Sequence, residues 1–289
     1  MIFVENKKKK DAVVDNSIAV DKIDKNRKLY IIKALFKNII SFIFCLSNKE
    51  LSGKEIVKRI LHAYIIAICI KTFFYENYKI PSGSMNPTLL NGDRILVSKF
   101  YYGYSKFSFP FSYLIPIKQR VLSNRKPKYG DIVVFKLPQQ EMQDIYYIKR
   151  IMGLPGDKIK VEGGNVIVNN KKLDYDFIRT SEPKMLGNEN MFEVQEYIEK
   201  NTIQKAYSIL VGSKDSDINN TKTYTVPEGY YFMMGDNRDN SKDSRFDMEF
   251  GFVPFKFIIG RAEVIFFSSS NGSIKYERIF KSLIPKEEQ

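Results

Sequence analysis

The hydrophobic pattern changes character near residue 80. Before it lie two long apolar stretches; after it come short apolar runs broken by Gly, Pro, Asn and Asp, the pattern of a mostly β domain. Stretch 29–47 is interrupted by Lys33 and Lys37, one turn apart on a single helix face. It reads either as a first transmembrane helix or as an interfacial one. Stretch 56–77 centres on Ile60–Ile70, with Lys58 and Arg59 before it and Lys71 placed to snorkel on the far side. Roughly 20 residues at about 1.5 Å each reach about 30 Å, which predicts a transmembrane helix.

Downstream, Asn91-Gly92-Asp93 predicts a turn into a strand at Ile95-Leu96-Val97, and further strands are expected at 130–135 and 146–152. Runs 158–161 and 165–168, with Gly163-Gly164 between them, read as a hairpin. Segments 224–234 and 258–267 return to strand character and are expected to rejoin the first sheet. Residues 170–222, rich in Lys, Asn, Asp and Glu, read as an inserted cap subdomain. The resulting division is a polar basic tail at 1–28, a linker at 48–55, and a β domain made of 78–169 and 223–289.

Composition removes several chemistries. His62 is the single histidine and lies inside the second apolar stretch, so a Ser-His-Asp triad and a His-rich metal site are excluded. Cys45 and Cys69 both precede the β domain, which excludes a thiol protease and a thiolate metal centre there. The net charge of +13 is uneven: residues 1–80 carry +8 and the remaining 209 carry +5. That excess around the apolar stretches fits the positive-inside rule and places 48–55 in the cytoplasm. No basic–aromatic motif accompanies it, so nucleic acid is not an expected partner.

Three stretches carry candidate chemistry. The first, Ile80-Pro81-Ser82-Gly83-Ser84-Met85-Asn86-Pro87-Thr88-Leu89, directly follows the second apolar stretch. The second is Tyr147-Ile148-Lys149-Arg150-Ile151-Met152-Gly153-Leu154-Pro155-Gly156-Asp157, and the third Gly235-Asp236-Asn237-Arg238-Asp239-Asn240-Ser241-Lys242-Asp243-Ser244-Arg245. A serine in a Pro/Gly-rich turn is ordinarily a turn residue. A lysine among apolar neighbours is less ordinary, because burial lowers its pKa and gives it the lone pair a general base needs. Strand alternation puts Lys149 on one face with Tyr147 and Ile151.

Taken in this order, the three stretches resemble the type I signal peptidase family, membrane-anchored serine proteases with a Ser-Lys dyad. The resemblance covers about residues 60–165 and 224–268. It implies a signal-peptidase-like β-rich catalytic domain preceded by one or two transmembrane helices. It also implies Ser84 as nucleophile, Lys149 as general base, and Ser82 with the Ser84 backbone N–H as oxyanion donors. Ser241 matches the serine that hydrogen-bonds and orients the lysine. Asp243, Arg245, Asp236 and Arg238 match the residues that hold the site's frame. Ile80, Met85, Leu89, Tyr147 and Ile148 would line the pocket for the residue before the cut. Tyr78, Ile80, Val134 and Ile148 would line the pocket two residues earlier.

The implied reaction is release of signal peptides from exported preproteins after Ala-X-Ala-like sites, with no metal and no cofactor. The implied setting is the bacterial cytoplasmic (inner) membrane, with the catalytic domain on its outer, periplasmic side. Preprotein signal peptides, the lipid bilayer and the protein export machinery are the implied partners, and the preprotein is expected to add as a strand beside Val134 or Tyr147. One departure is the absence of tryptophan: relatives place it near the C-terminus, where this chain has Phe266, Phe267 and Phe280. Two readings compete. Self-cleaving repressors share the Ser-Lys logic but are soluble and bind DNA, so membrane fractionation separates them. A paralogue that only binds signal-peptide-like segments would lack turnover.

Overall fold

The computed structural model describes residues 52–109, 116, 120–122, 125–185, 191–200, 206–212, 217–270 and 272–284. The predicted stretch 29–47 and tail 1–28 lie outside them, as does most of linker 48–55. Helix α1 spans Gly53–Cys69 and continues as a π-turn over Ile70–Phe74. No residue of either is buried, and Ile60, Leu61, Ile65 and Ile66 all face outward. No helix among the described residues is long and apolar enough by itself to cross a membrane. The predicted span 56–77 is also too long at its end, since Tyr75–Lys79 forms strand β1. The sequence Tyr-Glu-Asn-Tyr-Lys alternates in burial rather than continuing a helical stripe, and it pairs residue for residue with β2, Asp93–Ser98.

The main sheet is built from antiparallel pairs. Its remaining strands are β3 (Ile132–Phe135), β4 (Tyr147–Gly153), β12 (Tyr230–Met234), β13 (Val253–Pro254) and β14 (Ile258–Ser270). They lie in the order β1-β2-β14-β3-β4-β12-β13, and the short β15 (Ser273–Ile274) and β16 (Lys281–Ser282) also pair with β14. Side chains such as Ile95, Val97, Val133, Phe135, Ile151, Met233, Ile258 and Ile265 form its core. Each removes apolar surface from water, worth about 1.5–3 kcal/mol per fully buried side chain.

A second sheet contains the expected hairpin, β5 (Lys158–Glu162) and β6 (Asn165–Val168), with β7 (Lys171–Lys172) and β11 (Tyr224–Thr225) at its edges. Gly163 and Gly164 both have positive φ, which a two-residue hairpin turn of this hand requires. The 224–234 segment therefore does not rejoin the first sheet as one strand. Pro227 and Gly229 break it, so β11 pairs with β5 while β12 pairs with β4.

The region read as a cap forms a third sheet in the order β10-β9-β8, from β8 (Asp174–Met185), β9 (Met191–Lys200) and β10 (Ala206–Val211). It packs into the protein: Tyr207, Ile209 and Val211 share one core with Met152, Ile159, Val161 and Phe232. That shared core brings Glu199 and residues 206–212 against the loop that follows β12.

Candidate active site

Four segments from distant parts of the sequence meet at the end of β4. Ser84 lies in the turn between β1 and β2, closed by hydrogen bonds from Asn86 N to Gly83 O (3.0 Å) and Leu89 N to Met85 O (2.8 Å). Met85 and Leu89 anchor that turn, each with no exposed surface. Its outer side is held by Asn237, whose backbone N–H donates to Ser84 O (3.1 Å) and whose side-chain amide donates to Gly83 O (3.0 Å). The sequence assigns Asn237 no role of its own; its place inside the third motif is the only signal for one.

Lys149 is 4% exposed, and its Nζ is hydrogen-bonded to Ser84 Oγ at 2.5 Å. Burial lowers its pKa to about 8, against the opposing pull of Asp243 and Asp236, while Arg245 lowers it further. The amine is thus largely desolvated and has a deprotonated fraction near neutral pH. The next residue, Arg150, turns the other way. Its Nε and Nη2 grip Asp236 at 2.7 and 2.6 Å, Nη1 donates to Gly130 O at 2.8 Å, and the guanidinium lies 3.8 Å from the Tyr207 ring centroid.

The residues expected to form the frame are held by ion pairs. Arg245 pairs with Asp243 through Nε (2.8 Å) and Nη2 (2.9 Å), and Asp243 also accepts from Gly235 N (3.0 Å). Arg245 and these hydrogen bonds hold the Asp243 carboxyl below the usual carboxylate range, overcoming its burial. Arg238 forms a bidentate pair with Glu199 at 2.6 and 2.6 Å, and Glu199 accepts from Tyr207 Oη at 2.5 Å. Glu199 and Tyr207 belong to the inserted segment, which carries no motif that sequence reasoning could read; only the fold reveals them.

One expected contact is not formed. Ser241 is buried in the site, but its Oγ has no hydrogen-bond partner, so it does not bond the lysine. The Lys149 amine is engaged with Ser84 instead. A Cβ on Gly235 would come within 2.2 Å of Ser241 Oγ and 2.5 Å of Ser84 O, so only glycine fits between the third motif and the Ser84 turn. Ser82 is exposed.

Of the expected pocket residues, Ile80, Met85, Leu89 and Val134 have at most 2% exposure and belong to the core. Tyr78, Tyr147 and Ile148 are partly buried and pack against that core. Both edges of β3 are occupied, by β14 and β4, so the Val134 strand offers no free edge. On β4, pairing with β12 covers only Arg150 to Gly153, so Tyr147–Lys149 is unpaired on that side among the described residues. A cleft of about 590 Å³ is lined by neither Ser84 nor Lys149, and its arginines are already matched: Arg150 by Asp236, Arg179 by Glu196, Arg278 by Asp93. Among the described residues no cluster of His, Cys, Asp or Glu could hold a metal ion.

Residues 53–267 match the family model described as signal peptidase, peptidase S26. The signal peptidase I of Rickettsia typhi is 38% identical over 209 residues, covering 71% of this chain and 76% of that one. That of Rickettsia massiliae is 36% identical over 228 residues, covering 77% and 83%. A crystal structure of a signal peptidase I from Enterococcus faecalis V583 aligns at 27% identity with a TM-score of 0.28, covering 48% of this chain and 98% of that one.

Proposed function

Given that the chain belongs to the peptidase S26 family of signal peptidases, serine peptidases that remove signal peptides from preproteins, we propose that it does so with a Ser84–Lys149 dyad. The observation that carries this reading is the 2.5 Å approach of Lys149 Nζ to Ser84 Oγ, with the amine buried and its pKa lowered to about 8. A serine hydroxyl needs a base at neutral pH, and a desolvated lysine supplies one.

The neutral Lys149 amine takes the hydroxyl proton as Ser84 Oγ bonds to the scissile carbonyl carbon. The carbonyl oxygen, now an anion, is received by the Ser84 N–H and the Ser82 hydroxyl. Lys149 passes its proton to the departing amine as the C–N bond breaks, leaving an acyl-enzyme. Water then attacks that ester, giving its proton to Lys149, which returns it to Ser84 Oγ. Ser241 orients the lysine: its buried, unpartnered hydroxyl is free to accept from the amine once Ser84 becomes an ester. Asp243, Arg245, Asp236 and Arg238 keep the frame in register.

The substrate adds as an extended strand along the open side of Tyr147–Lys149, which ends at the reacting lysine. Tyr78, Tyr147 and Ile148 provide the surface that small residues meet, backed by Ile80, Met85, Leu89 and Val134. Shallow apolar walls of this kind favour Ala-X-Ala. The helical run of α1 and its π-turn, whose exposed residues are mostly apolar from Ile60 onward, supports anchorage in the lipid bilayer of the bacterial cytoplasmic membrane, with the site on the outer face beside the export machinery.

The test is cleavage of a preprotein carrying an Ala-X-Ala site by detergent-solubilised protein, wild type beside Ser84→Ala. A cut after the second alanine that vanishes in the variant is expected. A cut that survives in Ser84→Ala would overturn the dyad, and a folded wild type that never cuts would favour a binding-only paralogue.

A further inference from the structure

Resting on Lys149 as the base, we propose that Glu199, in the inserted sheet, is a positioning residue for the reaction: through Arg238 it fixes the loop that carries Gly235, Ser241 and Asp243 against the dyad. Glu199 has no exposed surface, and neither Glu199 nor Arg238 touches the reacting atoms. Arg238 transmits the contact. Its Nε donates to Gly235 O (3.1 Å) and its own carbonyl accepts from Arg245 Nη2. Gly235 and Arg245 are in turn the two groups that hold Asp243, the strongest carboxylate influence on the Lys149 amine.

The same sheet grips the loop elsewhere. Leu210 N donates to Asp236 O at 2.8 Å, and Gly212 N donates to Asp239 Oδ2 at 2.6 Å. Tyr207 joins both ion pairs, giving its hydroxyl to Glu199 and its ring face to Arg150. A sheet serving only to cover the protein needs none of these contacts. A buried carboxylate facing an arginine is costly to desolvate, and breaking such a pair leaves an uncompensated charge. Its placement one residue-to-residue step from the Gly235–Asp243 contact assigns it to the site.

The charged groups facing Lys149 are Asp243, Asp236 and Arg245; Glu199 is faced by the guanidinium groups of Arg238 and Arg150 and by the neutral hydroxyls of Tyr207 and Tyr175. Removing the Glu199 charge leaves Arg238 without its counter-charge, so Asp243, whose charge raises the Lys149 pKa, is held less closely to the amine. Full-length Glu199→Gln, solubilised and assayed on preprotein, is therefore expected to lose about 10-fold or more in kcat with little change in KM. The pH midpoint of kcat should fall by about half a unit, and Glu199→Asp should bring it back toward wild type. A folded Glu199→Gln with wild-type kcat and midpoint overturns the proposal. If that variant does not fold, Tyr207→Phe, which removes only the hydroxyl given to Glu199, should show a smaller loss and a shift of the same sign; an unchanged profile overturns it equally. These outcomes are separate from failure of the dyad, which would show as activity surviving in Ser84→Ala or Lys149→Met.

Discussion

Arg150 closes a two-point ion pair on Asp236, at 2.7 and 2.6 Å, one residue along β4 from Lys149. Successive side chains on a strand point to opposite faces, so this pairing fixes which way the lysine must point. With Arg150 committed to Asp236 and Tyr207, Lys149 faces Ser84. Removing the carboxylate alone, in Asp236→Asn, leaves a fully buried guanidinium without a counter-charge. The expected loss is about 3–5 kcal/mol of stability. Urea unfolding checks this, and a midpoint equal to wild type would contradict it.

The rate should follow a single deprotonation. Lys149 must be neutral to accept a proton, and its pKa is lowered to about 8. Cleavage is expected to rise with pH through about 8 and then level off. A midpoint near the ordinary lysine value of about 10.4 would show that burial does not tune this amine.

The same shift has a stability sign. The folded state releases the Lys149 proton near 8 while the unfolded chain holds it to about 10.4, so stability rises with pH between those values. At pH 7 the charged amine costs the fold about 3 kcal/mol. Lys149→Met is therefore expected to be inactive but more stable than wild type, by up to that amount. Calorimetry showing a lower Tm would contradict the burial argument.

Two variants separate space from chemistry in the third motif. Gly235→Ala drives a methyl into Ser241 and the Ser84 carbonyl, and is expected to cost about 100-fold in kcat. Ser241→Ala instead deletes a buried hydroxyl that has no partner, so stability should hold or rise by about 1 kcal/mol while the rate falls. A full rate in Ser241→Ala would remove it from the mechanism.

Acid should loosen the frame. Asp243 and Glu199 both titrate below the usual carboxylate range because arginines face them, despite burial. Groups shifted this way stabilise the fold above their unfolded pKa, about 4, and lose that contribution as pH falls through the folded values. Stability measured by urea midpoints should be level from about pH 7 to 5 and decline below about 4.

The sequence singled out Ser84 and Lys149, which the fold brings together, because they sit in short motifs whose residue types are unusual for their setting: a lysine inside an apolar strand, a serine in a turn after an apolar helix. Strands β2, β3 and β4 were equally readable from alternation and turn residues. What escaped depends on tertiary contact. Glu199 and Tyr207 look like ordinary members of a polar strand until β9 and β10 are docked, and nothing local distinguishes Glu199 from Glu196, which pairs with Arg179 near the surface. The helix end was misplaced for a similar reason, since the partner that draws Tyr75–Lys79 into a sheet lies beyond the next turn. Burial of Met85, Leu89 and Val134 reflects the same limit: pattern identifies apolar residues, not which of them a wall leaves exposed.

Ser84 and Lys149 are 65 residues apart, and the Gly83 carbonyl is held by a side chain 154 residues further on. Contacts so distant in sequence must first overcome loop-closure entropy. A ribosome must therefore release the chain past residue 237 before Ser84 has both Lys149 and the support of Asn237 beside it, and a nascent chain stopped before residue 235 is expected to be inactive. Latency during synthesis follows from the threading of the sheet. Arrested translation products of that length, offered a preprotein, should leave it uncut.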